Sequence, residues 1–217
     1  MAQDDRGGSI PCIAHMLVNG QLVDPDTLRD VARFRRGERV RLLDARRRVS
    51  TSERAVMTQT LSRALDTLIA PQKGMKIAVY WPIRGEPDLR DWMARVQAAG
   101  STVLLPVVLE KNAPLVFRPW FPGCKMVRGI WNIPIPTNGP DFIPDVVVTP
   151  LLGVDDACFR LGNGGGYYDR TLAQFDPLPR VVGVGFADCR IPTIFPMPWD
   201  IPMEDVILTD GSVQHRL

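Results

Sequence analysis

A glycine-rich run at residues 160–170, R-L-G-N-G-G-G-Y-Y-D-R, is the feature that most restricts how this chain can fold. Glycine loses more backbone freedom on folding than any other residue, so such a run would weaken a strand or a helix. A loop that brings backbone N–H groups close to a ligand can use these glycines, because no Cβ stands in the way. Residues from Tyr167 onward can form a helix, with Leu172 and Phe175 on one face. The run therefore predicts a phosphate-binding loop at a helix start, and a glycine-rich surface turn is the alternative.

The run differs from two common nucleotide-binding loops. The pattern G-x-x-x-x-G-K-[ST] requires a lysine after the glycines, and no lysine stands there. The pattern G-x-G-x-x-G requires a third glycine where this chain has Tyr167. Arg160, Asp169 and Arg170 flank the glycines, and their charges favour anion and metal chemistry over a plain turn.

Composition excludes several classes of catalyst and partner. The two histidines, His15 and His215, lie near the ends, so a histidine-activated nucleophile or a histidine-ligated metal is not expected. The four cysteines never stand in C-x-x-C spacing, which argues against a zinc site and a disulfide framework. A net charge of +2 does not indicate a nucleic-acid partner. No stretch reads as a membrane span or a signal peptide, and we expect a cytoplasmic protein.

Residues 1–30 are predicted to be an N-terminal extension of unknown role, ahead of a single α/β domain at residues 31–217. Residues 1–8 are polar and expected to be disordered. An apolar alternation at residues 13–23 is interrupted by Asn-Gly, a pair typical of tight hairpin turns. We expect this small hairpin to pack on the domain or on a partner subunit.

Two helices are predicted after the hairpin. The first covers residues 28–43, and the second begins at Ser50, which has Glu53 in capping-box spacing. The apolar face of the first helix is predicted to contain Val31, Phe34, Val40 and Leu43. Arginines fill most of its remaining surface, and charge alone indicates a solvated basic face. An RNA-binding module built on this helix is a second possibility, which the low net charge and the lack of interleaved aromatic residues disfavour.

Strands and helices alternate from residue 76 onward. A helix is predicted at about residues 90–99, between two apolar segments with short links. The apolar segments that read as buried strands are residues 76–81, 101–108, 144–150 and 180–186. This alternation predicts a three-layer α/β/α sandwich with a largely parallel sheet of about six strands. Ligands bind beyond the carboxyl ends of such strands, where the loop containing Glu86 and Asp88 is expected.

The glycine-rich motif, with Asp155 ahead of it, resembles the signature of the 5-formyltetrahydrofolate cyclo-ligase family, also called methenyltetrahydrofolate synthetases. The basic first helix, the G-E-x-[DE] loop at Glu86 and the W-N-I-P-x-P segment at Trp131 are also similar to that family. The resemblance implies the same fold over most of the chain. It also implies ATP-dependent conversion of 5-formyltetrahydrofolate to 5,10-methenyltetrahydrofolate, with release of ADP and phosphate. In that reaction ATP phosphorylates the formyl oxygen, N10 attacks the activated carbon and phosphate leaves.

The resemblance further implies roles for individual residues. Arg160 and Tyr167 are expected to be catalytic, and Mg²⁺ is expected at Asp169 and Glu204. The reduced folate is expected to contact Arg39, Ile83, Glu86, Asp88, Trp131 and Tyr168. The ATP-binding residues are expected to be Arg35, Arg39, Arg160, Gly162, Asn163, Gly164, Gly165, Gly166, Tyr167 and Tyr168. The expected partners are the two small molecules, ATP and the reduced folate, with no nucleic acid and no membrane, in a monomer or weak homodimer.

Several positions depart from the family's pattern. Arg35 stands where lysine is usual, and arginine is bulkier than lysine and not equivalent to it. Ile135 stands where glutamate or glutamine is usual, and Trp199 stands in place of histidine. Cys158 replaces a glycine, and Cys189 stands where glutamine is common. Four of them support an alternative, in which a protein of this fold binds ATP or a folate-like ligand without catalysing the reaction: Arg35, Ile135, Cys158 and Cys189.

Overall fold

The structure is a computed structural model that describes residues 16–18, 20–137 and 139–217. The helices are α1 (Pro25–Arg48), α2 (Thr51–Ile69), α3 (Arg90–Ala98) and α4 (Tyr167–Leu172). The central sheet contains β3 (Lys76–Ala78), β4 (Thr102–Val107), β5 (Val116–Pro119), β8 (Val146–Pro150), β11 (Arg180–Gly185), β12 (Asp205–Leu208) and β13 (Val213–His215). The peripheral strand pairs are β1 (Met16–Val18) with β2 (Gln21–Val23), β6 (Met126–Arg128) with β7 (Pro134–Pro136), and β9 (Gly153–Val154) with β10 (Arg160–Leu161).

The central sheet has seven strands in the order β13-β12-β11-β8-β3-β4-β5. The five inner strands run parallel to one another, and the edge strands β13 and β5 are antiparallel to their neighbours. The predicted largely parallel sheet is confirmed. The sequence analysis had assigned no strand to either edge, and both edge strands are only three or four residues long.

Helices cover both faces of this sheet, as the three-layer prediction requires. On one face, Leu61 and Leu65 of α2 and Trp92 of α3 pack in one buried cluster with alternate residues of the inner strands. On the other face, Leu42 of α1 and Leu172 of α4 pack against the opposite set. The alternation follows from the strand geometry, because successive side chains point to opposite faces.

Helix α1 is longer than predicted, and its buried face contains residues other than those predicted. Asp24 caps its start by accepting the Thr27 N–H at 2.8 Å. The predicted core residue Val40 is 58% exposed, whereas Leu42 and Arg46 are buried. Positions i and i+4 share a helix face, so Leu42 places Arg46 against the sheet as well.

The capping box at the start of α2 is confirmed. The Ser50 hydroxyl accepts the Glu53 N–H at 3.2 Å, and the Glu53 carboxylate accepts the Ser50 N–H at 2.9 Å. The box satisfies backbone donors that a helix start leaves without partners.

The N-terminal hairpin is confirmed in the part of the chain that the structure describes. Its register pairs Met16 with Val23 and Val18 with Gln21. The predicted disorder of residues 1–8 lies outside the described residues, and the division at residues 30 and 31 stays a prediction.

Candidate active site

A cavity of about 990 Å³ lies beyond the carboxyl ends of β3, β4 and β8. This is where a parallel α/β sheet is expected to bind ligands. The predicted site residues that line it are Arg35, Arg39, Ile83, Glu86, Trp131, Arg160, Gly162, Asn163, Gly164, Gly165, Gly166, Tyr167, Tyr168 and Asp169. One cavity thus brings together segments that lie far apart in the sequence.

The glycine-rich loop forms one wall of the cavity and leads from β10 into α4. Gly164 and Gly166 adopt φ values of 94° and 63°, in the left-handed region that favours glycine. A Cβ added at Gly165 would lie 2.7 Å from the Tyr167 ring. At Gly164 it would lie 3.3 Å from the Arg39 guanidinium carbon. The glycines therefore permit both the loop conformation and the close approach of an arginine.

Arg39 of α1 reaches this loop and is held there by one hydrogen bond. Its Nε donates to the Gly162 carbonyl at 2.8 Å. Neither of its terminal nitrogens hydrogen-bonds to any residue that the structure describes. Burial, followed by the nearby charge of Arg35, lowers the pKa of Arg39 from its ordinary value. The guanidinium stays charged, because arginine titrates far above neutrality, and it has donors to offer an anion.

Arg160 and Asp169 form an ion pair beneath the loop. Arg160 donates from Nη2 to an Asp169 carboxylate oxygen at 2.9 Å and from Nη1 to the Thr149 hydroxyl at 2.9 Å. Its guanidinium carbon lies 5.0 Å from the centre of the Tyr168 ring. Burial raises the pKa of Tyr168 above its ordinary value. Tyr168 is thus a neutral partner for the cation.

Arg35 is held by protein groups to a greater extent than the sequence indicated. Its Nε donates to the Ile194 carbonyl at 2.8 Å, and one terminal nitrogen donates to the Phe195 carbonyl at 2.8 Å. It also forms an ion pair with Asp200, in which both side chains are about nine-tenths buried. These contacts fasten α1 to the loop that carries Asp200.

Glu86 is a buried carboxylate that lines the same cavity. It accepts the Ile83 N–H at 3.0 Å, and Arg46 Nη1 lies 3.9 Å from its second oxygen. Burial raises the pKa of Glu86 to about 6, although the Ile83 N–H, the Arg46 charge and a hydrogen bond from Asn163 each lower it. Arg46 is anchored in turn by donating to the Leu151 carbonyl at 2.6 Å.

Arg46 therefore has a different environment from the one its sequence context indicated. It belongs to the predicted solvated basic face of α1, yet its side chain is 3% exposed. Its Nη1 is buried without a hydrogen-bond partner among the described residues. Burying a cation is costly, so the nearby carboxylate of Glu86 is an essential compensation.

Trp131 and Tyr167 form an aromatic wall. Their ring centres are 5.3 Å apart in an edge-to-face arrangement. The Tyr167 hydroxyl accepts the Asn112 N–H at 3.0 Å, so its own hydrogen can still be donated. Trp131 is 56% exposed and has a φ of 56°. An exposed indole in a left-handed conformation is unusual for a residue with a purely structural role.

Two predicted site residues do not line the cavity. Asp88 accepts hydrogen bonds from the backbone N–H and side chain of Arg90 at the start of α3, with the Nε at 2.8 Å, which is a helix-end contact. Glu204 lies at the amino ends of the parallel strands, opposite the cavity, where its N–H donates to the Val181 carbonyl. Its carboxylate lies 3.5 Å from Arg180 and is 58% exposed.

The predicted pairing of Glu204 with Asp169 is therefore corrected. Asp200, which precedes Glu204 by four residues, lines the cavity instead. The Ile201 N–H donates to Asp169 at 3.3 Å, and this contact brings the Asp200 segment to Asp169. Among the described residues, there is no group of three or more His, Cys, Asp or Glu side chains that could hold a metal ion.

The positions that depart from the family's pattern fall into two groups. Arg35, Ile135 and Trp199 line the cavity and can alter what it binds. Cys158 and Cys189 are buried outside it. Cys158 has a φ of 63°, a conformation that glycine adopts more easily. Burial raises the pKa of Cys189 to about 12, so it is a neutral thiol in the core.

Sequence reasoning assigned no role in the site to three polar or charged residues that line the cavity: Gln21, Arg84 and Asp200. Asp200 stands in the W-D-I-P-M-E segment, but the carboxylate chosen there was Glu204. Gln21 belongs to the N-terminal hairpin, for which no functional signal was found. The position of Arg84 beside Gly85 was the available signal for that residue.

Comparison with known proteins agrees with this architecture. The family model described as the 5-formyltetrahydrofolate cyclo-ligase family matches residues 31–209. The 5-formyltetrahydrofolate cyclo-ligase of Escherichia coli K12 is 31% identical over 170 residues, covering 75% of this chain and 93% of the relative. That of Mycolicibacterium smegmatis is 30% identical over 177 residues, covering 78% of this chain and 90% of the relative.

Solved structures are also similar. The NMR structure of the Aquifex aeolicus 5,10-methenyltetrahydrofolate synthetase has a TM-score of 0.72 at 27% identity, covering 83% of this chain and 92% of that one. The synthetase structure from Mycoplasma pneumoniae has a TM-score of 0.65 at 22% identity, covering 80% and 97%, and supports the fold.

The α/β fold and its glycine-loop cavity are those of a cyclo-ligase-like enzyme. The chain belongs to the 5-formyltetrahydrofolate cyclo-ligase family, as its motifs had indicated. In the described part of the chain, no helix has the length and apolarity needed to cross a membrane.

Proposed function

We propose that this protein converts 5-formyltetrahydrofolate and ATP to 5,10-methenyltetrahydrofolate, ADP and phosphate. The observation that carries the proposal is that one cavity is lined by the glycine loop, by Arg39 and Arg160, and by Glu86 and Trp131. Two reactants held in one cavity can react as if in a single molecule, which removes much of the entropic barrier to their encounter.

The glycine loop and the arginines beside it suit the phosphates of ATP. The amides of Gly164 and Gly165 belong to a loop with no side chains to block a ligand, and Arg39 has unused donors beside it. Arg160 adds a second cation, which would neutralise charge that develops during phosphoryl transfer. Tyr167 can donate its hydroxyl hydrogen to an oxygen of either reactant. Arg35 contributes through Asp200, since its own donors are already used by protein groups.

Asp169 and Asp200 are the residues that would hold Mg²⁺. Both line the cavity and offer hard carboxylate oxygens, which fits this ion when water and phosphate oxygens complete its ligands. Bound there, Mg²⁺ would neutralise phosphate charge. Both carboxylates lie in ion pairs with arginines, which prevents two like charges from facing each other without compensation.

A second group of cavity residues, Trp131, Ile83 and Glu86, suits the reduced folate. Trp131 and Ile83 offer flat and apolar surface for a pterin ring, and Glu86 offers a carboxylate to its N–H groups. Phosphoryl transfer from ATP to the formyl oxygen would turn that oxygen into a leaving group. The N10 nitrogen would then attack the activated carbon, and phosphate would leave with the oxygen. The two groups of residues together supply orientation and charge, and the reaction requires no nucleophilic side chain.

The alternative is a protein of this fold that binds ATP or a folate-like ligand without the reaction. The observation in its favour is Ile135, which places an apolar side chain in the cavity where the family's pattern is polar. We further propose a cytoplasmic protein, a monomer or weak homodimer, with no nucleic-acid partner.

The test is the near-ultraviolet absorbance of methenyltetrahydrofolate, followed with purified protein, 5-formyltetrahydrofolate and Mg²⁺. Product that forms with ATP and not without it, together with one phosphate per product, supports the proposal. Binding of both ligands without product would favour the alternative. The Ile135→Gln variant is a useful companion, because it restores the polar residue of the family's pattern and should strengthen folate binding.

A further inference from the structure

The N-terminal hairpin forms one corner of the cavity, although it precedes the residues that match the family. The family match begins at residue 31, and Gln21 of β2 lines the cavity. Val23, two residues later, is buried against Val31 of α1 and against Met197. Residues i and i+2 of a strand share a face, so Gln21 lies on the same face as Val23, where its side chain lines the cavity and is exposed. Leu22 lies on the opposite face and is 69% exposed.

Trp199 completes this corner. It packs against the cluster formed by Val23, Val31 and Met197, and it also lines the cavity. The family's pattern has a histidine at this position, so the hairpin and the tryptophan are two features of this chain that meet in space. The corner lies next to the proposed phosphate site, because Arg35 follows Val31 by one helical turn.

We infer that this corner binds the adenine base of the nucleotide, with Gln21 hydrogen-bonding to the edge of the base and Trp199 packing against it. The inference rests on the proposed function. A carboxamide both donates and accepts, so it can pair with the adjacent amino group and ring nitrogen of adenine. An indole offers a flat surface on which a base can stack. No described residue hydrogen-bonds to the Gln21 side chain, which leaves both of its groups for a ligand.

The position of the corner also distinguishes the two substrates. A nucleotide with its phosphates at Arg39 and the glycine loop would extend its base away from them toward Trp199. The folate is assigned to Glu86 and Trp131, and neither of these residues belongs to the cluster that forms the corner. The hairpin would thus act on ATP and not on the folate.

The experiment compares Gln21→Leu with Leu22→Ala in the full chain. Leucine keeps the approximate size of Gln21 and removes both hydrogen-bonding groups. The Michaelis constant for ATP should rise about three- to tenfold, as for the loss of one or two hydrogen bonds. The Michaelis constant for the folate and the turnover number should stay unchanged. Leu22→Ala alters the same strand on its exposed face and should leave all three constants unchanged.

A second measurement separates the base from the phosphates. Inorganic triphosphate has no base, so it should inhibit the wild type and Gln21→Leu with equal constants. Weaker inhibition of the variant would place Gln21 on the phosphates and overturn the inference. An unchanged Michaelis constant for ATP, or a raised one for the folate, would also overturn it.

A calorimetric titration keeps this test separate from that of the proposed function. If the wild type forms no methenyltetrahydrofolate, the proposed function fails, and ATP binding to the two proteins then decides the inference. Weaker ATP binding to Gln21→Leu, with equal binding of inorganic triphosphate, would still support a base-binding corner. Equal ATP binding to both proteins, or no ATP binding to either, would refute it.

Discussion

The amino ends and the carboxyl ends of the parallel strands form two opposite edges of the central sheet. Both edges carry arginines and carboxylates, but only the carboxyl-terminal edge lies at the cavity described above. At the amino-terminal edge, Asp205 is 3% exposed and accepts from Arg180 Nε and Nη2 at 2.9 and 2.7 Å. Its other oxygen lies 2.6 Å from His215 Nδ1, so both oxygens are used. The cluster ties β11, β12 and β13 together.

The carboxyl-terminal edge differs because its charged groups keep unused donors. Arg39 has two terminal nitrogens with no hydrogen-bond partner among the described residues, and Arg170, which also lines the cavity, has a buried Nε without one. The glycine loop adds a stretch of backbone that has no Cβ atoms at Gly164, Gly165 and Gly166. The comparison teaches that the presence of ion pairs does not mark a site, whereas unsatisfied donors around a cavity do.

Asp169→Asn is expected to have the largest effect, because it removes a charge at the proposed Mg²⁺ position with little change of shape. Turnover should fall on the order of 10²–10³-fold, which corresponds to about 3–4 kcal/mol of lost transition-state stabilisation. Excess Mg²⁺ should restore part of the lost turnover. The steady-state rate as a function of Mg²⁺ concentration measures both effects, and near-normal turnover would reject the metal role.

The matched control is Glu204→Gln at the other edge. Glu204 is exposed and lies beside Arg180, so its loss should leave turnover and Mg²⁺ dependence unchanged. A large fall in turnover would instead return Glu204 to the site. Asp200→Asn should resemble Asp169→Asn if the two carboxylates share the ion.

Arg39→Ala should raise the Michaelis constant for ATP by about 10- to 100-fold, because charged hydrogen bonds to phosphate are lost. Arg33→Ala is the control, since its side chain is 77% exposed on the same helix. Arg46 is unsuitable as a control because it is buried. Similar constants for the two variants would mean that the arginines of α1 act only as a diffuse basic surface.

Arg46→Met should change the pH dependence of folate binding. Glu86 has a pKa of about 6, and the charge of Arg46 lowers it. Removing that charge raises the pKa, so protonation begins at a higher pH. If the ionised carboxylate binds the folate, the acid limb of kcat/KM lies near pH 6 in the wild type and moves to higher pH in the variant. Glu86→Gln should abolish the limb; a limb unchanged in both variants would refute this role.

Asp205→Asn should affect stability and not the site, which makes it the smallest effect on activity. Loss of the charge-assisted bonds to Arg180 should lower the free energy of unfolding by about 1–3 kcal/mol. Urea denaturation measures this change. Michaelis constants should stay as in the wild type, and a substantial rise in either would show that the two edges are coupled.

Local features that neighbouring residues control could be predicted from the sequence. The capping box at Ser50, the glycine loop and the inner strands depend on nearby residues and on hydrophobic periodicity, so their positions were recognisable. The motif at residues 160–170 indicated the family, because glycines and charges at that spacing meet a specific geometric need. The site residues that belong to this motif all line the cavity.

Tertiary packing decided which charged residues face the cavity. Helix α1 carries many arginines in similar sequence surroundings, yet packing buries Arg46, fastens Arg35 to Asp200 and leaves Arg39 with donors to spare. Likewise Asp200 and Glu204 are four residues apart, but the chain passes between them from the cavity to the start of β12. Charge is a property of each residue, whereas burial and partners depend on contacts made across the whole chain, and these contacts determine what the charge does.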